Sequence, residues 1–290
     1  MTTLGAVFLP QFPPERLRAV AVAADEAGLE ELWLWEDCFK ESGVTSMAAA
    51  LAWTERLRVG IGLLPVPMRN VAATAMEAAT LERLFPGRPI LGVGHGVLDW
   101  MGQIGARVGS PLTLLGEYLD ALRALLAGQT VTVDGRYVKL RDVALDWPPA
   151  EAVRVLAGAE GPKTLELVGA KADGTILTGG TTPDQVRAAR VRIEAGRAAA
   201  GRTDAHQITA YILAATGPGA ADRFEAARHD WRFPDGADVG AAGDAATIAA
   251  AVHRWVEAGA DTVVLQPTAD EPDPEGFVRF VGEQVRPLVP

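Results

Sequence analysis

Three side chains in this 290-residue sequence are candidates for proton transfer near neutral pH. His95 follows an apolar, glycine-containing run that is typical of a buried strand, and the neighbouring carboxylates Glu36 and Asp37 follow another such run. Histidines and carboxylates are the usual general acids and bases of enzymes. The catalytic candidates are therefore Glu36, Asp37 and His95.

Each candidate also has a structural interpretation. His95 could be a neutral histidine that is hydrogen-bonded to the backbone near a cofactor. Glu36 and Asp37 could cap a turn or pair with Arg69, and for Glu36 we favour this structural role. The sequence therefore leaves the identity of the proton donor open.

Two glycine-rich stretches could hold the anionic part of a cofactor. With 31 glycines and few catalytic side chains, the chain favours a bound organic cofactor as the source of reactive chemistry. Free backbone N–H groups and the helix dipole attract phosphate where a helix begins, although a glycine loop can also be only a tight turn. The candidate binding residues in these loops are Gly158, Ala159, Gly161, Pro162, Lys163, Thr178, Gly179 and Gly180.

Composition argues against several other functions. Cys38 is the only cysteine, which excludes an intrachain disulfide, and the four histidines are far apart, so we expect no metal site. The formal net charge of -10 would repel nucleic acid and anionic lipid. The apolar runs are too short to span a membrane and no secretion signal is recognisable, so we expect a cytosolic protein.

Short β-rich runs alternate with helical patterns along the whole chain, which is typical of a parallel sheet. A hairpin around Asp134-Gly135 is predicted as an insertion. The predicted strands are Leu4–Leu9, Leu32–Trp35, Leu57–Leu64, Ile90–Gly94, Val153–Gly158, Gly174–Thr178, His206–Thr216 and Thr262–Gln266. The predicted helices are Glu15–Ala27, Thr45–Trp53, Val71–Leu84, Pro111–Leu126, one from about Pro162, Pro183–Ala200, Ala220–Asp230, Thr247–Ala258 and Pro274–Val285.

Eight strands that are each followed by a helix predict an α/β fold, a single (β/α)8 TIM barrel over residues 1–290 with insertion segments. An open doubly wound sheet is the alternative, but it would need a glycine fingerprint after the first strand, where the sequence has LPQFP. Active sites of such barrels lie at the carboxyl ends of the strands. Trp35, Trp100 and Met101 are expected to line a pocket there, and the other tryptophans, Trp33, Trp53, Trp147, Trp231 and Trp255, to pack in the core or at the barrel rim.

Four segments resemble the luciferase-like monooxygenase superfamily, in particular its branch that uses the deazaflavin coenzyme F420. The resemblance implies a barrel that binds a flavin-like ring and transfers a hydride at the C5 atom of that ring. The segments are Arg56–Gly96 with RLRVGIGLLPVPMRN and ILGVGHG, Gly28–Phe39 with GLEELWLWEDCF, Gly158–Leu177 with GAEGPKTLELVGAKADGTIL, and Ala258–Pro267 with AGADTVVLQP.

The resemblance also implies roles for residues of the third and fourth strands. In the deazaflavin branch, a bulge at the end of the third strand contains a non-prolyl cis peptide that backs the ring, and the matching bond here is Gly62-Leu63. An ordinary trans strand with a glycine for packing is the alternative. Gly94, in the glycine motif of the fourth strand, completes the candidate cofactor-binding residues.

Two positions depart from the family pattern. The family's acid-then-histidine pair after the second strand maps to Glu36 and Asp37, so a carboxylate replaces the histidine. The acidic residue that sugar-phosphate dehydrogenases of the family carry after the fourth strand maps to Val97, which cannot titrate. Both departures argue against glucose 6-phosphate as the substrate.

Three functions follow as hypotheses. The first is a coenzyme F420-dependent oxidoreductase that exchanges a hydride with a small carbonyl, imine or activated alkene, with His95 or Asp37 supplying the proton. The second is an FMN-dependent monooxygenase on the same barrel, which the shortness of the chain disfavours. The third is a non-catalytic flavin-binding barrel. By analogy with the family, we also expect a homodimer.

Overall fold

Eleven strands form the sheets of the computed structural model, which describes residues 2–289. Eight of them pair in parallel into a closed barrel of order β1-β2-β3-β4-β7-β8-β9-β11, which the β1–β11 and β8–β9 pairings complete. In chain order the strands are β1 (Thr3–Phe8), β2 (Glu31–Leu34), β3 (Arg58–Pro65), β4 (Pro89–Gly94), β5 (Val131–Asp134), β6 (Lys139–Val143), β7 (Val155–Gly158), β8 (Gly174–Leu177), β9 (Gln207–Ala215), β10 (Gly240–Ala242) and β11 (Thr262–Gln266). The predicted TIM-type barrel is therefore confirmed.

Helices surround the barrel and bury their apolar faces against it. The clearest amphipathic pattern, in α5, places Leu115, Leu119 and Leu122 in the core without exposed surface. In chain order the helices are α1 (Leu17–Glu26), α2 (Gly43–Trp53), α3 (Val71–Leu84), α4 (Leu98–Gln103), α5 (Pro111–Leu126), α6 (Pro162–Lys171), α7 (Pro183–Ala199), α8 (Ala220–Asp230), α9 (Ala245–Ala258) and α10 (Pro274–Phe280). The predicted closing helix ends earlier than expected, because residues 281–285 form a π-helical turn.

Large aromatic rings fill the inside of the barrel. Trp33 and Tyr211 are almost fully buried, and their rings meet edge to face with centroids 5.8 Å apart. Gly60 makes room for this packing, because a β-carbon there would lie 2.6 Å from the Trp33 ring. The barrel interior is therefore a packed core rather than a pore.

Two segments depart from the central barrel. The predicted hairpin is present as β5 and β6, and Glu117 of α5 anchors its turn by accepting hydrogen bonds from three backbone N–H groups, those of Arg136, Tyr137 and Val138. The strand β10, which the sequence does not predict, pairs in parallel with the end of β9. It helps to enclose a second hydrophobic cluster, formed by Leu213, Ala215, Ala220, Phe224, Ala227 and Val239.

Within residues 2–289, no helix combines the length and the apolar character that are needed to cross a membrane.

Candidate functional site

A bulge interrupts β3 near its carboxyl end. The pairing of β3 with β4 changes register between Ile61 and Leu64, and the Gly62-Leu63 peptide bond within the bulge is cis. The cis geometry that the family resemblance implies for this bond is therefore confirmed. Its contact with a cofactor remains a prediction.

The Leu63 side chain occupies the space beside two glycines on neighbouring strands. A β-carbon on Gly94 would lie 2.5 Å from Leu63 Cδ2, and one on Gly158 would lie 2.3 Å from the same atom. Both distances are far below van der Waals contact, so the leucine can lie there only because both positions are glycine. A β-carbon on Gly62 would likewise lie 2.1 Å from Tyr211 Oη. The four predicted residues Gly62, Leu63, Gly94 and Gly158 thus form one wall at the carboxyl end of the barrel.

A cleft of about 460 Å³ lies between the loops that follow β7 and β8. Thr178 Oγ1 donates a hydrogen bond of 2.7 Å to Glu160 Oε1 and so joins the two loops. Gly180 has a φ of +88°, and a β-carbon there would lie 2.4 Å from the Phe233 ring. The structure thus brings the two glycine-rich loops together, and five predicted residues line the cleft, namely Ala159, Pro162, Thr178, Gly179 and Gly180.

The first turn of α6 faces the same region. Gly161 is the N-cap residue of this helix and provides no side-chain hydrogen bond, and Pro162 occupies the first helical position. Uncapped N–H groups at a helix N-terminus attract an anion. Lys163 is exposed and adds a positive charge at this end of the helix.

His95 lies beside the start of α6. Its Nε2 is 3.5 Å from Thr164 Oγ1, and its buried Nδ1 has no well-aligned hydrogen-bond partner among residues 2–289. Burial lowers the pKa of His95 below the usual 6.5, and the nearby Pro111 carbonyl offsets this shift only in part. The imidazole is therefore mainly neutral at pH 7 and can accept a proton.

Glu36 forms a buried ion pair with Arg69. The Arg69 Nη2–Glu36 Oε2 distance is 2.7 Å and the Nε–Oε1 distance is 3.1 Å, while the Gly43 N–H donates to Glu36 Oε2 at 2.8 Å. Arg69 also contacts Glu77 at 3.0 Å. The predicted pairing with Arg69 is thus present, and it occupies both carboxylate oxygens of Glu36. The arrangement fixes the loop between β2 and α2.

Asp37 has a different environment from its neighbour. It is half-buried, and burial raises the pKa of its carboxyl group, although Lys40 opposes the shift. Within residues 2–289 no arginine pairs with it. Of the two adjacent carboxylates, Asp37 is therefore the one that no arginine neutralises within residues 2–289. The described residues contain no group of three His, Cys, Asp or Glu side chains arranged to hold a metal ion.

Aromatic side chains connect the barrel interior with the rim. Trp35 meets Tyr211 edge to face at 5.8 Å and Trp231 edge to face at 6.0 Å, and Trp231 stacks on Phe233 at 6.3 Å. Phe233 in turn covers Gly180 of the cleft between the two glycine-rich loops. Trp35 therefore belongs to a row of aromatic side chains, and its place in a pocket remains a prediction.

Two buried polar atoms lie in this aromatic row without an aligned partner within residues 2–289, namely Tyr211 Oη and Trp35 Nε1. Burial raises the pKa of Tyr211 well above its usual value, although the adjacent Trp35 N–H opposes the shift. Tyr211 thus stays protonated at any ordinary pH. No sequence signal distinguishes it from the other aromatic residues of a buried strand.

The other tryptophans follow the prediction in part. Trp33 and Trp255 are fully buried, as expected, and Trp231 lies at the rim with 41% of its surface exposed. The expectation for Trp147 is wrong, because 72% of its surface is exposed, with the Arg83 guanidinium over its ring. Arg83 lies in the last turn of α3, just before β4 begins, so Trp147 belongs to the opposite end of the barrel.

Sequence comparison with known proteins identifies one matching family and several related enzymes. The family model described as luciferase-like monooxygenase matches residues 2–264. A 5,10-methylenetetrahydromethanopterin reductase of Methanolobus tindarius is 33% identical over 201 residues, which are 69% of this chain and 61% of that protein. An F420-dependent glucose-6-phosphate dehydrogenase of Kineococcus radiotolerans is 31% identical over 209 residues, which are 67% and 61% of the two chains. The matched region thus spans less than two thirds of these relatives.

Solved structures share the fold over almost the whole chain. The coenzyme F420-dependent tetrahydromethanopterin reductase of Methanopyrus kandleri superposes with a TM-score of 0.85, at 21% identity and 99% coverage of both chains. An F420-dependent secondary alcohol dehydrogenase in complex with an F420-acetone adduct gives a TM-score of 0.87, at 22% identity, over 100% of this chain and 99% of that one. At such identities the likeness establishes the barrel fold.

Proposed function

Because this chain belongs to the luciferase-like monooxygenase family, we propose that it is an oxidoreductase that binds coenzyme F420 and transfers a hydride between the deazaflavin and a small organic substrate. The named relatives support this proposal, since they include an F420-dependent dehydrogenase of similar sequence. A carbonyl compound, an imine or an activated alkene would be suitable hydride partners.

The observation that carries the proposal is the fit of the barrel mouth to a flat ring with an anionic tail. Leu63, packed on Gly94 and Gly158, provides an apolar surface at the ends of three adjacent strands. From Gly158 the chain leads directly into the cleft of about 460 Å³ between the two glycine-rich loops. A ring on the Leu63 surface would therefore have a groove for its tail beside it.

The residues of the cleft suit such a tail. The uncapped first turn of α6 and the hydroxyl of Thr178 offer hydrogen bonds to a phosphate. Glu160 currently accepts the Thr178 hydroxyl, so an anion there would have to displace that carboxylate. The nearby cations are Arg192, which lines the cleft, and Lys163 in the first turn of α6. We expect the remainder of an anionic tail to extend into solvent, because the protein carries a net charge of -10.

Bound coenzyme F420 supplies a carbon centre that gives or takes a hydride, and the protein must handle the accompanying proton. His95 is suited to accept or return it, since its lowered pKa keeps the imidazole neutral and its Nδ1 has no aligned partner among the described residues. Asp37, with its raised pKa, is the second candidate. Glu36 would act only as a positioning residue, because Arg69 occupies its carboxylate.

Fluorescence titration with coenzyme F420 and with FMN tests the proposal. We expect binding of the deazaflavin in the micromolar range and weaker binding of FMN. Binding of FMN without binding of coenzyme F420 would contradict the proposal and favour the monooxygenase. If the chain bound neither compound, the oxidoreductase assignment would be wrong.

Two further expectations accompany this function. The homodimer remains a prediction, and Met76 and Leu84 of α3 are exposed apolar residues that a partner chain could cover. Sedimentation analysis of the purified protein would test it. A cytosolic location also remains a prediction.

A further inference from the structure

Half of the exposed large apolar side chains within residues 2–289 lie at the carboxyl end of the barrel. They lie on the segments that follow β2, β3, β4 and β9, although large apolar residues are normally buried. These residues are Phe39, Met68, Val97, Leu98, Ile104 and Trp231. Apolar groups that share one rim with a cofactor cleft indicate a surface for an apolar ligand.

Trp35 and Trp231 give this rim a defined shape. Their rings stand at 85° to each other with centroids 6.0 Å apart. Tyr211 meets the Trp35 ring edge to face, and Phe233 stacks on the Trp231 ring. The two indoles thus form a supported apolar corner, and flat hydrocarbon rings pack favourably against aromatic faces and edges.

The charges around this corner disfavour an anionic ligand. The loop after β2 carries the half-buried carboxyl groups of Asp37 and Glu41. Arg69, the cation that follows β3, is neutralised by Glu36 and Glu77. Lys40 and Arg232 are exposed to solvent. A phosphate or carboxylate on the substrate would therefore meet carboxyl groups at this corner, because the cations beside it are either paired or exposed to solvent.

We propose that the substrate is an uncharged, mainly apolar compound with a flat ring, and that it binds in the corner formed by Trp35 and Trp231. This inference rests on the proposed function, because the corner lies beside the proposed ring site. It separates this chain from enzymes that recognise a phosphorylated sugar, and it makes Trp231 a specificity-determining residue.

Ligand-observed NMR on the protein loaded with oxidised coenzyme F420 tests the inference without turnover. The probes are cyclohex-2-enone and its anionic counterpart, 3-oxocyclohex-1-ene-1-carboxylate, because they share one ring and differ by one charge. We expect the neutral ketone to bind about tenfold more tightly than the carboxylate. We also expect Trp231→Ala to weaken binding of the ketone by about tenfold.

Trp147→Ala is the matched control, since it removes an exposed indole from the opposite end of the barrel. It should leave both affinities unchanged. Tighter binding of the carboxylate or of glucose 6-phosphate would overturn the inference, as would equal ketone affinity in Trp231→Ala. Affinity for coenzyme F420 is measured separately for each variant. If the unmodified protein did not bind coenzyme F420, the proposed function would be contradicted. The same ketone titration on the cofactor-free protein would then test the aromatic corner alone.

Discussion

The side chain of Leu63 lies where Gly158 would carry a β-carbon. The distance from Leu63 Cδ2 to that position is 2.3 Å. A glycine on β7 thereby determines where the bulge of β3 can place its leucine. The surface proposed to support the cofactor ring therefore depends on contact between two strands that are separated by β4.

The first prediction follows from this contact. Gly158→Ala should push Leu63 away from β7 and weaken binding of coenzyme F420 by about tenfold, because overpacking a dense site costs about 1 to 3 kcal/mol. Fluorescence titration measures the affinity. Gly102→Ala in α4 is the control, since the nearest atom to its β-carbon position is Arg107 Cδ at 4.0 Å. Equal affinities of the two variants would show that Leu63 does not support the ring.

The second prediction concerns the stability of the loop after β2. Arg69→Met should lower the free energy of unfolding by about 3 kcal/mol, because it leaves the Glu36 carboxylate buried without its partner. Urea denaturation gives the change. Arg279→Met, which removes only the exposed contact with Glu26, should cost less than about 1 kcal/mol. Similar losses of unfolding free energy in both variants would show that the Glu36–Arg69 pair contributes no more to stability than an exposed ion pair.

The third prediction concerns the pH dependence of turnover. If His95 accepts the proton, kcat/KM in that direction should be constant above pH 6.5. It should fall at lower pH, as the imidazole becomes protonated through its lowered pKa. His95→Gln should remove this acidic limb and leave the affinity for coenzyme F420 intact. An unchanged pH profile in the variant would assign the proton transfer to another group, and Asp37→Asn would then be the variant to examine.

The fourth prediction concerns stability in acid. Burial, with the charges of Arg197 and Arg202, lowers the pKa of His206 to about 4, and its Nε2 lies 2.8 Å from Thr175 Oγ1. The unfolded chain binds the proton near pH 6.5, so the contribution is complete above that pH and is lost as the pH falls toward 4. After allowance for solvent screening, we expect a loss of about 1 to 2 kcal/mol.

Urea denaturation at pH 7.5 and at pH 5 measures this loss, with His206→Gln as the comparison. The glutamine variant should lose less stability between the two pH values, since it cannot take up the proton. Identical losses in the two proteins would mean that His206 does not contribute to acid sensitivity.

The strands of the main barrel could be predicted because their residue types differ from those of the segments on either side. Thr262–Gln266, for example, is a short β-branched run between a helix and a proline, and the structure gives it the predicted bounds. The hairpin at Asp134-Gly135 follows equally from its turn residues. Such elements need only local information.

Elements and contacts that depend on tertiary packing could not be predicted. The strand β10 has the sequence Gly-Ala-Ala, which favours no strand, and it forms because β9 approaches it closely. Gly240 has a φ of +151°, and a β-carbon there would lie 1.8 Å from the Leu213 carbonyl oxygen. The contact of Trp35 with Trp231 likewise joins residues almost two hundred positions apart. No pattern within a short window contains such information.

The second hydrophobic cluster affects which parts of the protein can change in sequence independently of each other. It is built from the end of β9, α8 and Val239, and so supports the segment that carries Trp231 and Phe233 separately from the main core. Insertions or substitutions in this segment can therefore alter the proposed substrate corner while the strands that surround Leu63 stay intact. The proposed ring site and the proposed substrate corner therefore draw on two separate hydrophobic clusters, and a change in one cluster need not disturb the other.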